Sequence, residues 1–241
     1  MNKKRILAIA LSLCLGVGTV TFHTTAKTKA ETKKIYTIAI DAGHQAKGNS
    51  GKEPVGPGAK TKKAKVSSGT QGVATKVPES KLTLQVAKKL ETELKKRGYK
   101  VYMVRRKQKV NISNKQRAQR VNKSGADIYI RLHADAAGAS VRGASALYPS
   151  KKNPYVKKLS AKSKKLSKKV LNSYCKATKF KNRGLSKRDD LTGTNWSKVP
   201  VTLIEMGFMT NRSEDKNMQK KTYQTKMVKG IANGVDQYFN N

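Results

Sequence analysis

Apolar positions follow two different periods along the chain. Residues 35–41 (IYTIAID) form a short run of β-branched and aromatic residues, which predicts a first strand. Leu82, Val86, Leu90 and Leu94 recur at four-residue spacing beside Ala87, predicting an amphipathic helix that Gly98 ends. Residues 99–104 predict a second strand. Ser113 suits a helix start and Gly125 a helix stop, so a helix is expected between them, running to about Ser124. Residues 127–132 (DIYIRL) and 143–148 predict two more strands. From Tyr155 to Lys176 a long helix places Leu159, Leu166, Val170 and Tyr174 on one face. Residues 201–204 read as a short buried strand and Tyr223 to Phe239 as a closing helix. Strands alternating with helices predict an α/β sheet layered between helices. Residues 45–78 are rich in Gly, Lys, Ser and Pro with little periodicity, and read as one long loop, functional or mobile. No internal repeat or linker interrupts the rest, which predicts one domain.

Composition adds a question about partners. The 241 residues carry 53 Lys and Arg against 14 Asp and Glu, a formal net charge of +39, with 37% hydrophobic residues. That apolar content excludes a wholly disordered basic tail. The charge points to nucleic acid, an anionic membrane or an anionic extracellular polymer. The N-terminus decides among them. Lys3, Lys4 and Arg5 precede an uncharged apolar stretch from Ile6 to about Phe22, and small residues follow at Thr24, Ala26, Thr28 and Ala30. This is a secretory signal-peptide pattern over residues 1–30, with a core short for a membrane span. It predicts a secreted protein with no stable membrane anchor and no specific nucleic-acid partner. One catalytic domain is expected over 31–241. Leu13 stands where a lipoprotein signal before Cys14 wants a small residue. With Cys14 removed, Cys175 is the lone cysteine and no intrachain disulfide is expected.

The familiar local signatures HExxH, CxxC, GxSxG and the Walker-type loop are missing. In open α/β sheets, however, ligands bind beyond the carboxyl ends of the strands. Three predicted strands run into residues with metal or acid–base chemistry: His44 after IAIDAG, His133 after IYIRL and Glu205 after VTLI. After the signal segment only two histidines remain, and both fall on this edge. That pattern favours zinc or a similar metal held by imidazole and carboxylate, with three protein ligands and one open position. Glu79, just before the first helix, is a candidate third ligand, or a carboxylate favoured by the helix N-terminus. Glu205, on an apolar strand tip, suits a general base; a structural salt bridge to a lysine or arginine is the competing reading.

Four segments carry a family resemblance: IAIDAGHQ (38–45), PESKLTLQVAKKLETELKKRGYKVYMVR (78–105), NISNKQRAQRVNKSGADIYIRLHADA (111–136) and VPVTLIEMGFMTNRSED (199–215). In this order they resemble the zinc-dependent N-acetylmuramoyl-L-alanine amidases of the amidase family 3 type. The resemblance implies a twisted, mostly parallel (mixed) sheet of about six strands, flanked by helices on both faces. It implies Zn2+ held by His44, Glu79 and His133, with Glu205 as the catalytic glutamate. The implied reaction is hydrolysis of the amide between N-acetylmuramic acid and L-alanine in peptidoglycan. The 45–78 segment departs from the family pattern, and no separate wall-binding domain is recognisable.

Two other readings are distinguishable. A zinc carboxypeptidase acting on wall peptides would shorten the peptide from its far end, whereas an amidase frees a new N-terminal alanine. A pure binding module for nucleic acid or wall polymer would rely on charge alone, since the 14 aromatics fall mainly on predicted strands and helix faces. The lysines of the 155–176 helix read as a solvated face or as an electrostatic anchor on anionic wall polymers such as teichoic acids. The protein is expected to be monomeric.

Overall fold

The computed structural model describes residues 34–240, so the signal-peptide reading of 1–30 lies outside the described residues. In chain order the elements are β1 (Thr37–Ala42), β2 (Asn49–Pro54), β3 (Lys62–Val66), α1 (Glu79–Lys96), β4 (Lys100–Met103), α2 (Asn114–Lys123), β5 (Ile128–Asp135) and β6 (Ala144–Tyr148). They continue with a 3-10 turn (Lys157–Leu159), α3 (Ser160–Thr178), β7 (Asn182–Lys187), α4 (Thr192–Asn195), β8 (Val201–Phe208), α5 (Arg212–Gln219) and α6 (Lys221–Phe239). Residues Ile35–Asn241 form one compact unit.

Six strands make one sheet in the order β4-β1-β5-β8-β6-β7. All neighbours run parallel except β6 and β8, which are antiparallel, so the sheet is mixed and mostly parallel. Alternation along the strands divides the interior. Ile38, Ile40 and Ala42 of β1 and Ile128, Ile130 and Leu132 of β5 join the larger core, with apolar residues of α1, α3 and α6. Ala39 and Tyr129 point the other way, to a smaller core with Ala118 and Val121 of α2. Helices therefore cover both faces, as two-sided burial of a parallel sheet requires.

Local chemistry sets the boundaries. Ser113 and Gln116 form a reciprocal capping box at the start of α2: Gln116 N donates to Ser113 Oγ at 3.2 Å, and Ser113 N to Gln116 Oε1 at 2.9 Å. Leu82, Val86, Leu90 and Leu94 of α1 are fully buried.

Several elements depart from expectation. The 45–78 segment is not one loop: β2 and β3 pair as an antiparallel hairpin, and Gln71 bridges to Pro78. NSGKEP shows no apolar alternation and KKAKV only the pair Ala64 and Val66, too short a period to read as strands; other groups anchor them. Lys115 N donates to Glu53 Oε1 at 2.9 Å, Trp196 Nε1 donates to Pro54 O at 3.0 Å, and only Val55 and Val66 are buried apolar anchors. Also unexpected are β7, a polar edge strand, and the short helices α4 and α5. β5 and β8 extend beyond their expected ends, so His133 and Glu205 lie within strands rather than just past them.

Candidate metal centre and catalytic cleft

Four segments converge at the carboxyl edge of the sheet. His44 follows β1 in a left-handed backbone conformation with φ of 59°, uncommon for a residue bearing a side chain. Two buried arginines secure this turn. Arg105 donates to Ala42 O at 2.9 Å, Gly43 O at 2.9 Å and Ser80 O at 2.7 Å, which ties the turn to the start of α1. Arg117 donates to Ala42 O at 2.9 Å and His44 O at 2.7 Å, and pairs with Asp41 at 2.7 Å. Gly43 is required by close approach, because a Cβ there would lie 2.5 Å from His133 Cε1.

Glu79 is the first residue of α1, one place further into the helix than expected, and its side chain is only 4% exposed. Oε1 lies 3.1 Å from His133 Nδ1 and accepts from Ala134 N at 3.0 Å. Oε2 lies 3.1 Å from His44 Nε2 and accepts from Thr70 N at 3.1 Å. His44 Nε2 and His133 Nδ1 are themselves 3.1 Å apart. All three candidate ligand atoms lie within 4.8 Å of one another, a grouping able to hold a metal ion.

Neighbouring groups fix the protonation. The Ser67 carbonyl can only accept, so His44 Nδ1, at 2.9 Å, donates to it and the ring turns Nε2 toward Glu79 and His133. Burial lowers the His133 pKa to about 4, keeping that imidazole neutral near pH 7. Burial pushes the Glu79 carboxyl up, but hydrogen bonds from His133 and His44 outweigh it and hold the group well below the usual carboxylate range.

Glu205 stands opposite His133 in the parallel β5–β8 register, on the same face of the sheet. A register shift follows immediately, with Asp135 opposite Phe208, the kind of bulge that re-aims a side chain beside a site. Glu205 Oε2 is shielded from solvent and has no hydrogen-bond partner. Burial, then the charges of Glu79 and Asp135, raise its pKa well above the usual value against Arg131 and Arg188. Among the described residues no lysine or arginine forms an ion pair with it, which removes the salt-bridge reading.

These side chains open on a cleft of about 430 Å³. One wall is β3 with residues 64–70; the other includes Arg188, Asp190 and Leu191. Lys63 Nζ reaches Asp190 Oδ2 at 3.0 Å and so joins the hairpin to the opposite wall. Sequence pattern did not reveal Ser67, Thr70 or the wall residues, since they sit in aperiodic polar stretches. Arg105 and Arg117 lay inside recognised segments, but nothing in their spacing showed that their guanidinium groups turn inward.

The family model for N-acetylmuramoyl-L-alanine amidase matches residues 38–237. The germination-specific N-acetylmuramoyl-L-alanine amidase of Bacillus subtilis is 27% identical over 183 residues, covering 69% of this chain and 73% of that protein. The N-acetylmuramoyl-L-alanine amidase LytC of the same organism is 25% identical over 161 residues, 67% of this chain but only 31% of LytC. Among solved structures, an N-acetylmuramoyl-L-alanine amidase from Clostridium difficile 630 superposes with a TM-score of 0.70 at 28% identity, covering 86% of this chain and 98% of that one.

Proposed function

Since the chain belongs to the N-acetylmuramoyl-L-alanine amidase family, we propose that it is a secreted zinc hydrolase that cleaves the amide between N-acetylmuramic acid and L-alanine in peptidoglycan. The observation that carries this reading is the convergence of His44, Glu79 and His133 on one focus, with the unpartnered carboxylate of Glu205 beside it. The donor set suits zinc: two imidazoles and one carboxylate are ordinary ligands for it. His44 Nε2 and His133 Nδ1 are 3.1 Å apart, close to the edge of a tetrahedron with 2.0–2.1 Å bonds, about 3.3 Å, and each lies 3.1 Å from a different oxygen of Glu79. His44, Glu79 and His133 would hold the ion, which supplies a Lewis acid that polarises a carbonyl and acidifies water.

The chain's own groups do the rest. Glu205 Oε2 has its hydrogen-bonding capacity free, so it can take the proton of the attacking water. Its raised proton affinity lets it keep that proton until the leaving amine nitrogen of L-alanine accepts it. Ser67 orients His44, and Ala134 N orients Glu79. Residues 1–30 direct export, 31–241 form the catalytic domain, and the protein acts as a monomer. Peptidoglycan is the substrate, and anionic wall polymers, teichoic acids among them, are the partners its charge favours.

The test is digestion of purified peptidoglycan with and without a chelator, followed by mass spectrometry. The expected products are peptides with a new N-terminal alanine and intact glycan chains, lost on chelation and restored by Zn2+. Release of C-terminal residues instead would show a carboxypeptidase, and chelator-insensitive cleavage would overturn the metal assignment.

A further inference from the structure

α3 contains six lysines and no acidic residue over Ser160–Thr178. Lys162, Lys164, Lys165, Lys168 and Lys176 are exposed, and Lys157 and Lys158 extend the row ahead of the helix. A helix this basic normally borrows acidic partners from its neighbours. Here the neighbour is α6, which adds exposed Lys221, Lys226 and Lys229 and has one acid, Asp236. That acid is already taken, by Arg97 at 2.6 Å and Tyr99 at 2.7 Å.

The two helices meet at glycines. A Cβ on Gly230 would lie 2.8 Å from Tyr174 Cα, and one on Gly234 would lie 2.4 Å from Val170 Cα. Later residues of α6 thus meet earlier residues of α3, so the helices run antiparallel at backbone contact. This proximity merges two lysine rows into one surface: Lys176 and Lys229 each adjoin a residue at the contact.

We propose that this α3–α6 face docks a linear polyphosphodiester of the wall, of the teichoic-acid kind. The proposal rests on the cell-wall reading above and names the partner and surface within it. Charge complementarity favours a polyanion, and regularly spaced phosphates suit a row of lysine point charges. A bilayer fits less well. Helices that lie on anionic lipid bury an apolar face in it, whereas the large exposed hydrophobics among the described residues are Ile35 and Val73, neither of them in α3 or α6.

The experiment compares two variants of equal charge change. One carries Lys168→Gln, Lys176→Gln, Lys226→Gln and Lys229→Gln; the other carries Lys60→Gln, Lys109→Gln, Lys123→Gln and Lys198→Gln, all exposed positions outside α3 and α6. Sedimentation with purified walls, before and after chemical removal of teichoic acid, gives the affinity, and anionic phospholipid vesicles form a third arm. The first variant is expected to lose roughly a hundredfold in affinity for teichoic-acid-bearing walls at 0.15 M salt, with a shallower salt dependence. The second is expected to lose much less. Both should hydrolyse soluble muropeptide like the parent. Equal losses in the two variants would overturn the proposal in favour of diffuse charge. Undiminished binding to stripped walls would overturn it in favour of another wall component, and tighter binding to vesicles in favour of lipid. A parent protein that binds walls through this face yet hydrolyses no muropeptide would refute the amidase reading and leave the docking face standing.

Discussion

Glu79 and Glu205 are carboxylates at the same sheet edge, and their surroundings separate their roles. Glu79 has both oxygens engaged by ring nitrogens and backbone N–H groups, which keep it charged. Glu205 has Oε2 unengaged and a raised proton affinity. Replacing Glu205 by Gln preserves shape and removes the proposed proton acceptor. Hydrolysis is expected to fall by about 10²- to 10⁴-fold while zinc content and the circular dichroism spectrum stay those of the parent. Near-normal turnover would dismiss Glu205 from the mechanism. His133→Ala removes a donor from the focus, and elemental analysis of the purified variant should show loss of bound zinc. Unchanged zinc content would sink that ligand assignment.

At the scale of elements, the turn that carries His44 depends on groups beneath it. Asp41 is fully buried and accepts from Arg117 at 2.7 Å, Arg131 at 3.2 Å and Tyr129 at 2.9 Å. Removing Arg117 takes away the shortest of these contacts and leaves the buried charge only partly compensated by Arg131 and Tyr129. Arg117→Met is therefore expected to cost about 3–5 kcal/mol, read as a lower denaturant midpoint. A loss below about 1 kcal/mol would show that Arg117 is not essential to the turn. This underlayer also marks how far the chain could be read in advance. β1, α1 and α2 were legible because apolar spacing and caps are local signals, and His44, His133 and Glu205 stood out as candidates because each comes after a run of apolar strand residues. The β2–β3 hairpin was not: Glu53 and Pro54 are held by Lys115 and Trp196, 62 and 142 residues away. No local period records such long-range anchoring. β7 was hidden similarly, since its NRGLSK sequence has no buried residue.

For the molecule as a whole, acid is the predicted weakness. Burial raises the Asp41 pKa, but Arg117 and Arg131 outweigh it and hold the carboxyl well below the ordinary range. The unfolded chain thus takes up this proton first. The stabilisation is complete above the unfolded value of about 3.9 and is lost as pH falls below it. The apparent melting temperature should decline steeply below about pH 4. In Asp41→Asn it should start lower and decline less steeply over that range. An equally steep decline in the variant would assign acid lability to other groups.

The central place of β8 has a consequence for timing. β5 and β6 pair with β8 and not with each other, so residues 201–208 join the two parts of the sheet. A ribosome delivers that strand late, after every other strand has been made. A chain that stops short of β8 contains His44, Glu79 and His133, yet it has neither a continuous sheet nor the proposed proton acceptor Glu205. The proposed hydrolytic competence therefore waits on β8, the strand that both parts of the sheet need and that carries Glu205.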